Sequence, residues 1–392
     1  VTKVAVLDQL RASINKKYGA GTILPASEAI ALVVDRIPFG VFELDVKIGG
    51  GAPRGRITII KGGYSTGKSG LTYKSAAEAQ KMCRFCGRPF EIIDIFGEVH
   101  ELDCRCGKRS PMRVVVVDTE HAFDPSWVYK WGVNIKDLLL IQAEYSEQAI
   151  DIADQCIRSK ECDLMIIDSI ASMTPGIEIE ESSEKQQIGV GARLLGKAFR
   201  KWTAGLNSAG LLSETKCTIM MVNQLRLALG GYHPTITSPG GKAPDFFESL
   251  ELMLKKNEEI VDKGSGRPIG VNVEFTVKKN KTHPISSTGL FSIYFVGQKG
   301  HHRVGDTDTD VQVARMASYW GILKKAGSWV ILPGGEKIQG EEKAGAYLRE
   351  HSLVMTDLMD RVREREDMWK EVGLENVPDE DPEGSSTEET DA

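Results

Sequence analysis

Apolar and polar positions alternate along the chain in two rhythms. Short runs rich in β-branched residues read as strands: Arg56–Lys61 (RITIIK), Arg113–Asp118 (RVVVVD), Asp163–Ser169 (DLMIIDS) and Thr218–Asn223 (TIMMVN). The second and third are almost continuously apolar and end in acids, the pattern of parallel strands covered on both faces. An alanine-rich segment after Ser69 predicts a helix. Near the start, VAVLDQLRASINKKYG places Val4, Leu7, Leu10 and Ile14 on one helical stripe, either a core face or an arm that docks on another protomer. Strands and helices in this alternation predict an α/β fold with a mostly parallel central sheet.

The first strand runs into GGYSTGKS. Gly62, Gly63, Tyr64, Ser65, Thr66, Gly67, Lys68 and Ser69 complete G-x-x-x-x-G-K-[ST] between a strand and a helix. Glycines let the backbone wrap phosphates, Lys68 reaches the outer phosphates, and the Ser69 hydroxyl suits magnesium. A nucleotide and Mg are therefore the expected ligands. The next strands deliver acids to the same sheet edge, where ligands of such folds bind. Asp168 is placed to hold magnesium and Glu120 to activate the attacking water.

Composition changes this picture in two ways. With 392 residues the chain exceeds the size at which one core stops growing, so a large domain with smaller appendages is expected. Net charge is −6, yet the segment 373–392 carries eight acids and no lysine or arginine, leaving a slightly basic body. That segment predicts a disordered tail, solvated or competing with DNA for basic surface. There is no apolar run fit to span a membrane and no basic-then-apolar leader, so a cytoplasmic, membrane-free protein is expected. Of seven cysteines, Cys156, Cys162 and Cys217 read as small buried hydrophobes. The other four, Cys83, Cys86, Cys104 and Cys106, flank a stretch able to form a short hairpin and have the reach of a tetrahedral zinc site. His100 is an alternative ligand. Lying between the glycine-loop helix and the next strand, this element should emerge opposite the nucleotide; its balanced charges suit a structural ribbon that docks a protein partner or another protomer better than a DNA clamp.

GRITIIKGGYSTGKS, VVDTEHAFDP, LMIIDSIASMTP, VNQLR, GGKA, VKKNK and KKAGSWVILPGGEKIQG follow one another in the order, and nearly the spacing, of the bacterial and phage RecA recombinases. The chain resembles that family from about Val4 to Val362, interrupted mainly by the cysteine stretch. The resemblance implies that the nucleotide is ATP, held by a RecA-like P-loop ATPase core, with Glu120 as catalytic carboxylate and Asp124 and Trp127 against adenine, where the family usually has tyrosine. It implies that Gln224 senses the γ-phosphate and that Lys279 and Lys281 reach a neighbour's nucleotide. Two loops, Glu178–Gly189 and Leu225–Pro244, would hold DNA; the second shows neither helical nor strand periodicity. Arg193, Arg200, Arg226, Gly240 and Gly241 would contact phosphates, and Ile188, with Leu227 or Ile236, would wedge between bases. Asp245 and Glu251 depart from the family, which often has basic residues there.

These readings divide the chain into an N-terminal oligomerisation helix and linker (1–33), an ATPase core (34–300) with a zinc-ribbon-like insertion (83–111), a small α+β C-terminal domain (301–372) and the acidic tail (373–392). The function implied is a DNA-dependent ATPase that forms a helical homo-oligomeric filament on single-stranded DNA and exchanges strands with double-stranded DNA. The alternatives are a ring-forming helicase on the same core and a non-hydrolysing regulator that binds DNA through the cysteine element.

Overall fold

The computed structural model describes residues 3–19, 22–23, 25, 34–93, 99–104, 106–177, 189–208, 216–228, 235–237, 241–284, 288–297 and 302–372. Ile188, Gly240 and the acidic tail lie outside them. The N-terminal segment is a helix, Lys3–Tyr18, with Leu7 and Leu10 65% and 52% exposed, so among the described residues these two positions of the stripe are not packed into a core.

In chain order the strands are β1 (Arg36–Ile37), β2 (Ala52–Pro53), β3 (Ile57–Gly62), β4 (Glu91–Ile93), β5 (Val99–Glu101), β6 (Val114–Asp118), β7 (Leu138–Ile141), β8 (Leu164–Asp168) and β9 (Thr218–Gln224). They continue as β10 (Arg226–Ala228), β11 (Thr235–Thr237), β12 (Leu250–Val261), β13 (Pro268–Asn280), β14 (Thr288–Tyr294), β15 (Lys324–Ala326), β16 (Trp329–Ile331) and β17 (Lys337–Gln339). One sheet of eight strands, ordered β14-β13-β12-β3-β9-β8-β6-β7, forms the centre. From β12 to β7 every pairing is parallel, and β13 and β14 extend the sheet antiparallel.

The continuous apolar runs are explained by burial on both faces. Val114 and Val116 of β6, with Leu164 and Ile166 of β8, join the core under the Lys68–Gln80 helix. Val115, Val117, Met165 and Ile167 alternate to the opposite core, with the helices Ser146–Arg158 and Val190–Ser208. Each such valine or isoleucine contributes roughly 1.5–3 kcal/mol by leaving water. A third cluster belongs to the C-terminal unit, where the Thr309–Tyr319 and Glu341–Glu350 helices and β15–β17 enclose Val313, Leu323, Val330 and Leu348. Its fully buried Gln312 accepts from the Glu43 amide at 2.9 Å and donates to Asp308 at 2.9 Å, fixing this unit to the core.

Two expectations need correction. The second loop is not devoid of strand: β10 and β11 pair antiparallel, with Leu227 opposite Ile236. A three-residue strand is too short to leave a periodic signature. Cys156 is only half buried, unlike Cys162 and Cys217.

Candidate functional site

Strand β3 ends at Gly62, where the sheet is so close that a Cβ would lie 2.6 Å from the Leu254 carbonyl oxygen. The chain then turns through Gly63–Gly67 into the Lys68–Gln80 helix. Gly67 caps that helix in the left-handed region, φ 78°, with no side-chain hydrogen bond to the helix's first amides. Those amides and the helix dipole are free to meet an anion. Lys68, nearly buried, donates to the carbonyl of Gly63 and lies 3.5 Å from the Thr66 hydroxyl. Burial lowers the affinity of its ammonium for the proton, and Asp168 and Glu120 oppose that. A cradle of this shape, with a desolvated cation across it, fits a nucleotide polyphosphate.

Parallel pairing of β6 and β8 sets Asp118 in register with Asp168, so both acidic strand ends reach one edge. Asp118 accepts from the amides of Ala122 and Phe123 at 3.2 and 3.0 Å and from Gln142 at 3.1 Å, shaping the turn that carries Glu120. Burial pushes Asp168 up to about 6, with the charges of Glu120 and Asp118 adding to the rise and the Ser69 hydrogen bond and Lys68 opposing it. A buried carboxylate joined to the Ser69 hydroxyl is a donor set that fits Mg. Its charge becomes favourable once a dication shares it.

Glu120 is exposed, and one oxygen, Oε1, accepts from Ser169 Oγ at 2.6 Å and from Gln224 Nε2 at 2.9 Å. Gln224 ends β9 beside Gly62, and the next amide, Leu225, donates to the Gly62 carbonyl at 3.1 Å. The second loop thus starts bonded to the glycine loop. Ser169 is the residue the sequence reading missed; it follows Asp168 directly, and only the pairing of β6 with β8 brings it to Glu120.

Asp124 N-caps the short Pro125–Lys130 helix, Oδ1 accepting from the Ser126 and Trp127 amides at 2.8 and 3.2 Å. The Ser126 hydroxyl is the main reason its carboxyl is lowered, with these amides adding. Trp127 is half buried, edge-on to Trp131 at 6.0 Å, and Trp131 occupies the space that a side chain on Gly70 would take. Core packing therefore accounts for part of this indole.

Arg193 and Arg200 are exposed on the Val190–Ser208 helix, with Lys197 between them at the same helical spacing, a third cation the motif did not flag. A Cβ on Gly241 would lie 3.2 Å from that of Ala192, so the end of the second loop meets the start of this helix. Gly241 and Arg193 are brought into one region, while for Arg226 the structure gives the backbone of β10. Lys279 donates to the carbonyl of Asp245 and Lys281 approaches that of Phe246 at 3.4 Å. Both lysines rest on the Ala243–Phe247 helix that follows the second loop. The acids at 245 and 251, where the resemblance leads one to expect basic residues, have a local role. Asp245 and Glu251 lie 2.8 and 3.3 Å from the buried Lys61 ammonium, and Glu248 lies 3.9 Å from both Lys61 and Lys279. Burial, then Glu251, raises Glu248 to about 8.

The four cysteines converge. Their Sγ atoms all lie within 4.8 Å of one another, with Cys83–Cys106 at 3.6 Å, Cys86–Cys104 at 3.4 Å, Cys83–Cys104 at 3.2 Å and Cys104–Cys106 at 3.0 Å. A tetrahedral zinc with 2.3 Å bonds needs edges of about 3.8 Å, a slight expansion of this cluster. β4 and β5 form the expected hairpin.

The family model described as RecA N-terminal domain matches residues 5–109 and 98–299. "Protein RecA" of Fusobacterium nucleatum is 36% identical over 346 residues, 88% of this chain and 80% of that one. "Protein RecA" of Thermus aquaticus is 34% identical over 363 residues, 92% and 94% of the two chains, and that of Thermus thermophilus 33% over 368, 93% and 96%.

Proposed function

Because this chain belongs to the RecA family, we propose that it is an ATP-dependent DNA recombinase, which coats single-stranded DNA as a helical filament, pairs it with a homologous duplex and exchanges strands in recombination and repair. The observation that carries the coupling of nucleotide to DNA is the junction at Gln224. The residue bonds Glu120, and the residue after it opens the second loop while holding the first glycine of the nucleotide cradle.

In this reading Gly62–Ser69 and Lys68 bind the phosphates of ATP, Ser69 and Asp168 hold Mg, and Asp124 and Trp127 position the base. Magnesium, when bound, neutralises charge on the phosphates. Glu120 orients and deprotonates the attacking water, and Ser169 fixes the carboxylate oxygen that does not face it. Gln224 leaves Glu120 when a γ-phosphate offers a better acceptor, and the second loop moves with it. Lys279 and Lys281, at the end of β13 against the helix that closes that loop, supply positive charge to a neighbouring protomer's phosphates. Arg193, Arg200, Arg226, Gly240 and Gly241 contact the DNA backbone, and Ile188 separates bases; Lys197 belongs with the arginines. Filament growth uses the exposed Leu7 and Leu10 stripe of the N-terminal helix, and the proposed domain boundaries follow those expected from the sequence.

Strand exchange breaks no covalent bond in DNA, so turnover of ATP serves release. Among the described residues no helix is long and apolar enough to cross a membrane. The four thiols bind zinc as a closed, structural site, without an open position for catalysis. No observation favours the ring-forming helicase. Phosphate release measured with and without single-stranded DNA tests the proposal: stimulation by DNA is expected, and equal rates would overturn the DNA-dependent ATPase.

A further inference from the structure

The metal knuckle does not hang free of the ATPase. Arg84 lies inside the Cys83–Cys86 turn, yet it is 4% exposed. Its guanidinium meets the edge of the central sheet opposite the nucleotide. There Nη1 donates to Glu161 at 2.8 Å, Nη2 to the Lys160 carbonyl at 2.6 Å, and Nε lies 3.1 Å from Asp163. The Arg84 carbonyl accepts in turn from Arg54 at 2.9 Å.

Asp163 has no exposed surface and stands where three strands of the sheet begin. Its carboxylate accepts from the Arg113 amide before β6, at 2.9 Å, and its carbonyl accepts from Thr218 of β9 at 2.8 Å; β8 follows directly. Arg54 also lies near it, at 3.7 Å. Such a carboxylate is expensive to leave without its partner in a dry site. The partner is held by the knuckle: the Arg84 amide bonds Ser110 at 2.8 Å, the Gly87 amide bonds Cys83 at 2.8 Å, and the Cys83 amide bonds Arg88 at 2.7 Å. With the amides of Phe90, Leu102 and Met112 bonded to Lys81, Phe90 and Met82, these bonds close a segment too small to bury a core of its own, and a metal on the four thiolates would complete its shape.

We propose that the four-cysteine site is a clasp that sets Arg84 as the internal counter-ion of Asp163, so that zinc occupancy controls the stability of the whole nucleotide-binding sheet. The inference rests on the zinc reading above and adds to it a specific route from metal to core. It also makes the coupling reciprocal: whatever zinc contributes to the Arg84–Asp163 contact, that contact contributes to zinc affinity.

The test uses the full-length protein, its zinc content, its affinity for zinc against a chromophoric chelator, and its thermal midpoint with and without a strong chelator. Wild type should hold about one zinc per chain, and stripping it should lower the midpoint by roughly 5 °C or more. Arg84→Ala should weaken zinc binding about tenfold or more and lose most of the chelator-induced shift. Arg109→Ala, which removes an exposed pair with Glu101 in the same element, should keep that shift. If Arg84→Ala does not accumulate folded, Arg84→Ala combined with Asp163→Asn carries the comparison, since the unpaired carboxylate is gone; it should fold and be insensitive to the chelator. Zinc bound, with equal chelator shifts in wild type and the Arg84 variant, would overturn the clasp while leaving the metal site standing. Purified protein without zinc that cannot be loaded would overturn the metal site and the clasp together.

Discussion

Replacing Asp168 by asparagine should make the nucleotide-free protein more stable while destroying its turnover. The carboxyl is buried and its proton affinity is raised from an ordinary 3.8 to about 6. A folded-state value above the unfolded one means that the folded protein binds the proton more tightly. The contribution to stability is therefore full below about pH 4 and is lost as pH rises through about 6. A rise of that size corresponds to about 3 kcal/mol of penalty for the ionised group at neutral pH. Asparagine has nearly the same shape and no charge, so above pH 6 it should recover most of that amount, a midpoint gain of roughly 5 °C or more. The assay is thermal unfolding without nucleotide or Mg at pH 8 and at pH 4.5, paired with phosphate release at pH 8. The stabilisation should be largest at pH 8 and shrink at pH 4.5, and Mg-dependent hydrolysis should fall at least about a hundredfold, since one favourable contact to the dication and its charge are removed. A variant less stable than wild type at pH 8, or one that hydrolyses ATP normally, would refute the reasoning that Asp168 is a strained carboxylate kept for the metal.

Glu120→Gln keeps the acceptor oxygen for Ser169 and Gln224 but removes the base, so filaments should form with ATP and persist while hydrolysis falls about a hundredfold or more; equal turnover measured by phosphate release would reject the assignment. Lys281→Ala, at an exposed site, should leave the folded protein within about 1 kcal/mol of wild-type stability, and both it and Lys279→Ala should abolish DNA-stimulated hydrolysis; normal stimulation would exclude action on a neighbour's phosphates. Truncation after Glu371 should tighten duplex-DNA binding and steepen its salt dependence, because phosphate contacts no longer compete with the tail; unchanged affinity at two salt concentrations would make the tail a mere appendix.

How legible these features are in sequence depends on how local the physics is. The phosphate cradle is readable because strand, glycine loop and helix are contiguous, and each residue type is dictated by backbone approach or charge. The acidic ends of β6 and β8 are readable because doubly buried parallel strands leave continuous apolar runs. The cysteine quartet is readable because ligand spacing is short-range, and the fold brings the four thiols together as that spacing predicts. Ser169 is not readable, since its partner Glu120 is reached only through strand pairing. Nor is Arg84, whose neighbours Glu161 and Asp163 are distant in sequence and whose charge looks like any surface arginine. β10 and β11 are too short to show alternation, and the outer half of β12, with Lys255, Lys256, Glu258 and Glu259, is too polar to read as strand. Acids at Asp245 and Glu251 look like a defect in an interface until Lys61 is seen buried among them.

The central claim is that nucleotide bound at Gly62–Ser69 drives assembly of this chain on single-stranded DNA. Electron microscopy of the full-length protein with single-stranded DNA and a non-hydrolysable ATP analogue tests it most directly. Continuous helical filaments are expected, requiring both ligands and lost in Lys68→Ala. Closed rings, or no assembly when DNA and the analogue are both present, would contradict it.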